Sequence, residues 1–228
     1  PEIGFFNDSF RDILKGPTFL DKIRVKGYIN GDSSYSLGFV YSFLGSVTNF
    51  CFPRKYKYAS QSINYIECHD NNTVFDKLSE SNQGEDVSLL YKRVCLGNQL
   101  VILSFGVPFI HMGQEIGQSK FGLDNTYNIP KVNNFDLKGL HERKDMLNYI
   151  KSAIHLRNNQ LSFLKKLNSI DELENLVEVR EENGILFLSI KNASKISSYS
   201  EIIYMINVHG NSINFTLNDY YNVLLSDG

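Results

Sequence analysis

Apolar and polar positions follow two regimes along the 228 residues, helical spacing between short apolar runs up to about Leu167 and alternation beyond it. The first run, Glu2–Phe6, reads as a strand ending on Asn7-Asp8. A helical start over Phe10–Leu14 follows, which Ser9 could cap and Gly16-Pro17 stops. Thr18–Tyr58 is poorly periodic: Asn30–Ser36 (NGDSSYS) reads as a turn or mobile loop and Val40–Val47 as a short helix. In Ser62–Leu78 (SINYIECHDNNTVFDKL) the β-formers Ile63, Tyr65 and Ile66 predict a short buried strand over Ile63–Glu67. Thr73 can cap a helical turn over Val74–Leu78, with Asp76 favoured by the helix dipole in its first turn. After a polar loop, Ser79–Glu85, apolar residues at Val87, Leu90, Val94, Val101, Ile102 and Phe105 approach a 3.6 repeat. They predict a helix over Asp86–Phe105 that Gly106 ends in a left-handed conformation. Val107–Met112 is another buried strand, Gly117–Leu137 a long loop dense in Asn, Asp, Gly and Pro, and Asp145–Arg157 an amphipathic helix.

The polar residues are not scattered among these elements. Glu67, His69, Asp70, Asn71 and Asn72 follow one strand; His111, Gln114 and Glu115 follow the next. Strand, helix and strand, each strand delivering a histidine and a carboxylate to one edge, is the pattern of a parallel β/α barrel, whose chemistry sits at that edge. Beyond Leu167 the period becomes two. Leu176–Val179, Ile185–Ile190, Ile202–Val208, Asn214–Leu217 and Asn222–Leu225 read as strands, joined in part by turns at Glu182-Asn183-Gly184 and His209-Gly210-Asn211. The fold class is therefore α/β: part of a TIM-type barrel in residues 1–165, then a partial antiparallel β-sandwich in residues 166–228, with a linker near Lys165–Leu173.

Composition narrows the chemistry. A hydrophobic fraction of 42%, a charged fraction of 21% and a net charge of −2 describe an ordinary globular chain and predict neither a nucleic-acid nor a membrane partner. No apolar run approaches the roughly 20 residues of a membrane span. Three cysteines (Cys51, Cys68, Cys95) without metal-ligand spacing suit free thiols in a reducing compartment. With no basic and apolar leader visible, the expected location is cytoplasmic rather than secreted, although PEIGFF reads as the middle of a domain. The histidines lack H-E-x-x-H spacing, and nucleophile-elbow, P-loop and dinucleotide fingerprints are missing, so no metal and no cofactor are expected. His111 alone reads as a hydrogen-bonded structural histidine. Asp8 and Arg11 read either as a local ion pair or as residues lining a cleft.

ECHDNNTVFDKL resembles the last conserved segment of the α-amylase superfamily of glycoside hydrolases, in the form found in type I pullulanases. Ile3–Gly16 (IGFFNDSFRDILKG) and Gly106–Glu115 (GVPFIHMGQE) resemble two further segments in the right order and spacing, and the resemblance runs from about Ile3 to Leu156. It implies that the chain holds about strands six to eight of the barrel, the last part, followed by the superfamily's C-terminal sandwich. It implies an α-1,6-glucan debranching hydrolase acting on pullulan, glycogen or branched dextrins by a retaining mechanism. Asp70 would be the family's third acid, binding adjacent ring hydroxyls at the cleavage subsite and supporting an oxocarbenium-like transition state, with His69 beside it. Asp8, Arg11 and Asn71 would contact the glucan. The loop resembles N-S-Y-N-S-x-D-x-I-N-x-x-D-W, matched at Asn125, Tyr127, Asn128, Asn133 and Asp136. Of these, Asn125, Tyr127 and Asn128 are the expected binding residues, while Leu137 stands where the pattern has tryptophan.

Retaining glycosidases need two carboxylates, a nucleophile and a general acid. No stretch of the chain resembles the family's G-F-R-F-D or E-G-W segments, so the chain alone is expected to be inactive. Its expected partners are an α-glucan and the N-terminal part of the barrel. The alternative is a non-catalytic α-glucan-binding or regulatory protein of the same family. Two plainer readings compete locally: Asp70 as the cap of the helix starting near Asn72, and the loop's Asn and Asp residues as servants of turn geometry.

Overall fold

The computed structural model describes residues 3–165 and 173–226. Three parallel strands, β1 (Phe5–Phe6), β2 (Ser62–Asn64) and β3 (Val107–Pro108), lie side by side in that order, with Phe5 opposite Ser62 and Ile63 opposite Val107. Each is shorter than the apolar runs Glu2–Phe6, Ile63–Glu67 and Val107–Met112 predict. The last rungs are Asn7 N–H to Ile63 O and Phe109 N–H to Asn64 O, both 2.9 Å. Past them the chain after β1 turns into a helix, so Tyr65, Ile66 and Glu67 stay buried without a neighbour to pair with.

Helix α1 (Asp8–Lys15) is capped by Asn7, not Ser9. Asn7 Oδ1 accepts from Phe10 N–H while its amide donates to Ser46 Oγ and Ser62 Oγ under the sheet. Helix α2 (Ser36–Phe43) sits earlier than Val40–Val47, because Gly45 and Ser46 adopt positive φ (75° and 55°) and end it. The NGDSSYS stretch runs from the end of one 3₁₀ turn (Tyr28–Asn30) through a second (Ser33–Tyr35), fastened by the buried Asn30 amide donating to Ser81 Oγ (2.6 Å) and Lys15 O (3.2 Å).

Helix α3 (Val74–Ser81) begins at its Thr73 cap as expected but takes in three residues of the predicted loop. Helix α4 (Val87–Leu103) starts at the Asp86 cap and ends at an extended Ser104, so Gly106 is not its terminator. Gly106 (φ 122°) instead leads into β3, where a Cβ would stand 2.7 Å from Ser62 O. A short helix α5 (Leu137–Glu142) precedes α6 (Lys144–Asn159), the amphipathic helix of the Asp145–Arg157 pattern.

The core runs through Phe10 and Leu14 of α1, Phe39 and Phe43 of α2, Ile66, Val74, Leu78, and Val94 and Val101 of α4. It continues without a break into a second, antiparallel sheet of β4 (Val177–Glu182), β5 (Ile185–Ile190) and β6 (Ile202–Asn207), in that order. Asn183 and Gly184, both at positive φ, close a two-residue hairpin between β4 and β5. All six β5 residues are buried, and Tyr204 of β6 meets Phe43 of α2 edge-on at 5.1 Å. The buried Arg93 guanidinium ties the two sheets' surroundings together, donating to Ile29 O and Val208 O at 2.8 Å.

The expected strands Asn214–Leu217 and Asn222–Leu225 are not strands. Their alternation reflects side chains laid against the sheet: Phe215 packs edge-on to Phe187 and Leu225 joins the core, with no backbone ladder. The linker placed near Lys165–Leu173 lies, apart from its end residues, outside the described residues.

Candidate functional site

The first turn of α3 decides what the residues after β2 are free to do. Thr73 Oγ1 accepts from Asp76 N–H (3.1 Å) and Glu67 Oε2 accepts from Val74 N–H (2.7 Å). These two acceptors satisfy helix donors that Asp70 would otherwise cap, and Asp70 takes no part. Asn71 turns the chain at φ 60°, leaving the side chains of His69 and Asp70 78% and 59% exposed, with His69 Nε2 3.3 Å from Asp70 Oδ1.

Beneath this exposed pair lies a buried electrostatic layer. Glu67, 2% exposed, also holds His111 Nδ1 at 3.0 Å through Oε1, joining the carboxylate after β2 to the histidine after β3. His111 is thus hydrogen-bonded to a buried carboxylate. Lys15 reaches up from the end of α1 to donate to Asn72 O (3.3 Å); burial lowers its pKa to about 8, with Glu67 opposing and Arg11 adding to the shift. Lys120, its pKa also lowered by burial, donates to Asn71 O and to Asp124 O from the long loop. Two ammonium groups on separate elements therefore clamp the Asn71-Asn72 backbone. Nothing in the local pattern around Lys15 or Lys120 signalled this; only Glu67, in the polar run after β2, stood in view.

At the end of β1, Tyr65 OH donates to Asp8 Oδ1 (2.5 Å) and accepts from Arg11 Nη1 (2.8 Å). Burial, reinforced by the Asp8 bond, pushes the Tyr65 phenol pKa up. Arg11 is held chiefly by Asp12 through Nε (2.7 Å) and Nη2 (3.1 Å), and lies 3.5 Å from Asp8, so the local ion pair exists with Asp12 as its main partner. Phe6, Tyr65 and Phe109, one from each strand's end, meet edge-on with centroids 4.9, 5.4 and 6.4 Å apart. Gln114 and Glu115 serve the backbone here: Gln114 Oε1 accepts from His111 N–H while its amide donates to Asn98 Oδ1, and Glu115 accepts from Gly113 N–H.

The long loop divides in its roles. Asn125 Oδ1 accepts from Asn71 N–H (3.1 Å), and Asp124 bridges Asn71 Nδ2 and Asn125 Nδ2, bringing both beside Asp70. Tyr127 and Asn128 stand exposed on the same loop. Asn133 instead exchanges bonds with Thr126, and Asp136 caps α5 and binds Arg143, which is turn geometry. Asp8 and Arg11 gather around Tyr65 at the neighbouring strand end, apart from the Asn71–Asn125 contacts. Among the described residues no group of three or more His, Cys, Asp or Glu is arranged to hold a metal ion, and no helix is long and apolar enough to cross a membrane.

No family model matches the chain. It is 31% identical to a pullulanase of Bacillus subtilis strain 168 in an alignment taking in all of this chain and 32% of that protein. It is 29% identical to pullulanase A of Streptococcus pneumoniae serotype 2 over 54% of this chain and 14% of that protein. Among solved structures, type I pullulanase from Bacillus subtilis str. 168 with maltose superposes at a TM-score of 0.85 and 28% identity, covering 96% of this chain and 30% of that one. Pullulanase of Anoxybacillus sp. LM18-11 with maltotetraose gives 0.80 and 28%, covering 92% of this chain and 29% of that one. The chain spans a third or less of the length of these relatives.

Proposed function

We propose, for a chain that is similar along its whole length to part of a type I pullulanase, that it supplies one wall of the active site of an α-1,6-glucan debranching hydrolase. The observation that carries this reading is the exposed His69–Asp70 pair, set at the carboxyl end of the middle strand of a parallel sheet on a turn clamped by Lys15 and Lys120. In this reading residues 1–165 belong to the barrel, about strands six to eight, and residues 166–228 to the following domain.

Asp70 would accept hydrogen bonds from adjacent hydroxyls of a glucose ring, and its charge would favour the positive character that develops at the anomeric carbon. His69 would hold the same ring from the side. Asn71 and Asn125, with Asp8 and Arg11 at the next strand end and Tyr127 and Asn128 on the loop, would contact flanking sugars. Pullulanases of known structure carry maltose, maltotriose or maltotetraose.

Hydrolysis with retention needs a nucleophile and an acid about 5–5.5 Å apart. Glu67 is unavailable for either part, because both its oxygens are engaged in the buried layer. The two carboxylates would come from the N-terminal part of the barrel, and the chain alone would be inactive. The engagement of Glu67 fits equally the alternative, a non-catalytic α-glucan-binding or regulatory protein. Incubating the purified chain with pullulan, alone and with a polypeptide carrying the N-terminal part of a pullulanase, tests both readings. Reducing-sugar release only in the mixture supports the proposal. Release by the chain alone, above a heat-killed control, refutes it, and glucan binding without turnover in the mixture favours the alternative.

A further inference from the structure

We infer that Phe121 is a stacking platform for a pyranose ring of the glucan, an inference that rests on the reading above and names a contact outside the His69–Asp70 pair. Phe121 breaks two rules at once. It lies at φ 58°, the left-handed region where a Cβ clashes with the backbone and where glycine or asparagine is favoured. The residue is also 81% exposed, so the strain is not offset by burial of the ring. Neither local propensity nor packing accounts for a phenyl group here, and departures of this kind concentrate at ligand-contacting positions.

The ring is not carried on a loose loop. Phe121 N–H donates to Ser119 Oγ (2.8 Å), whose hydroxyl donates to Asp76 Oδ1 (2.5 Å), and Lys120 N–H donates to Asp76 Oδ2 (2.7 Å). On the other side, Gly122 O accepts from Asn72 Nδ2 (2.9 Å). The peptide is thus fixed on both sides of Phe121, to the first turn of α3 and to the residue two positions after Asp70. A few residues further along the same loop, Asp124 and Asn125 bond Asn71 and each other and retain lone pairs for hydroxyls. An exposed aromatic ring on a fixed backbone, in a loop that also carries amide and carboxylate groups, matches a hexose, which presents C–H bonds on one face and hydroxyls around its rim. Fixing the backbone lowers the ordering cost of binding, which gives an exposed ring on a strained, pinned peptide its use.

The test measures maltotetraose binding to the 228-residue chain by isothermal titration calorimetry, for the wild type and for Phe121→Gly, Phe121→Asn and Phe121→Trp, with a thermal melt of each. Glycine and asparagine tolerate the left-handed conformation, so both variants are expected to melt at or above the wild-type temperature while binding about tenfold more weakly. Phe121→Trp, which restores an aromatic face, is expected to bind within about threefold of the wild type. Undiminished binding by Phe121→Gly and Phe121→Asn overturns the platform and leaves the glucan reading standing. Failure of Phe121→Trp to bind in a folded protein also counts against it. No binding by the wild-type chain overturns both.

Discussion

Replacing Glu67 by glutamine removes one charge from the buried layer and almost nothing else, so its effect can be worked from the contacts. Glu67 Oε2 receives Val74 N–H at 2.7 Å at the start of α3, and Oε1 lies 3.0 Å from His111 Nδ1. A hydrogen bond to a charged acceptor contributes about 1.5–3 kcal/mol and a neutral one about 1, so the Val74 bond weakens by roughly 1 kcal/mol. Loss of a partly buried anion from a helix N-terminus costs about 1 kcal/mol more. The third contribution is electrostatic: Lys15 and Lys120 both lie in the field of this carboxylate and lose a buried counter-charge, worth at least about 1 kcal/mol.

The sum is about 3 kcal/mol, which for a chain of this size lowers Tm by roughly 6–12 °C. Glu67→Ala should cost more, because it also leaves the buried Val74 N–H without an acceptor. Urea denaturation followed by circular dichroism, with m unchanged, measures both. If Glu67→Gln lies within 0.5 kcal/mol (about the scatter of an ordinary surface substitution) of the wild type, the buried layer is not what fixes the His69–Asp70 turn.

Asp70→Asn should leave stability within about 0.5 kcal/mol, since Asp70 is exposed and Thr73 is the cap; in an active assembly kcat should fall about 10²–10³-fold with KM little changed, and a normal kcat in a folded protein would sink the catalytic assignment. Lys15→Met tests the depressed lysine. With a folded pKa of about 8 against 10.5 for a free lysine, the buried ammonium destabilises the fold by about 3 kcal/mol below pH 8. That cost is relieved as pH rises from 8 to 10.5, where the unfolded chain binds more protons. The methionine variant should therefore gain most over the wild type at pH 7 and progressively less towards pH 10, and a pH-independent difference in denaturation midpoint would contradict the assignment. Gly97→Ala in α4 places a Cβ 2.8 Å from Ile66 Cδ1 and 3.0 Å from Ile29 Cδ1. Overpacking of about 1–3 kcal/mol should exceed the roughly 1 kcal/mol gained in helix propensity, so a more stable alanine variant would show that this contact relaxes freely.

The sequence by itself determined what local chemistry can determine. Asp86 and Thr73 cap α4 and α3 because a short side chain holds its oxygen close enough to its own backbone to reach the first free N–H groups. Asn183-Gly184 closes the β4–β5 hairpin because its turn requires two residues at positive φ. The polar runs at the ends of Ile63–Glu67 and Val107–Met112, and the resemblance of three spaced segments to type I pullulanases, were legible for the same reason: they are properties of contiguous residues. Strand length was not, because a strand ends where its neighbour's backbone leaves. That departure ended β2 at Asn64, and the lack of a ladder left Asn214–Leu217 and Asn222–Leu225 as segments lying on a sheet.

Only the tertiary structure decided which polar residues remained free. Glu67 and His69 stand two positions apart, yet one is buried against Val74 and His111 and the other is exposed beside Asp70. Lys15 and Lys120 are separated by more than a hundred residues, and both reach the backbone of the same Asn71-Asn72 turn. A carboxylate or an ammonium carries no mark in sequence of which backbone will approach it. Burial then fixes its partners, because an unpaired charge inside the fold costs more than any local preference supplies.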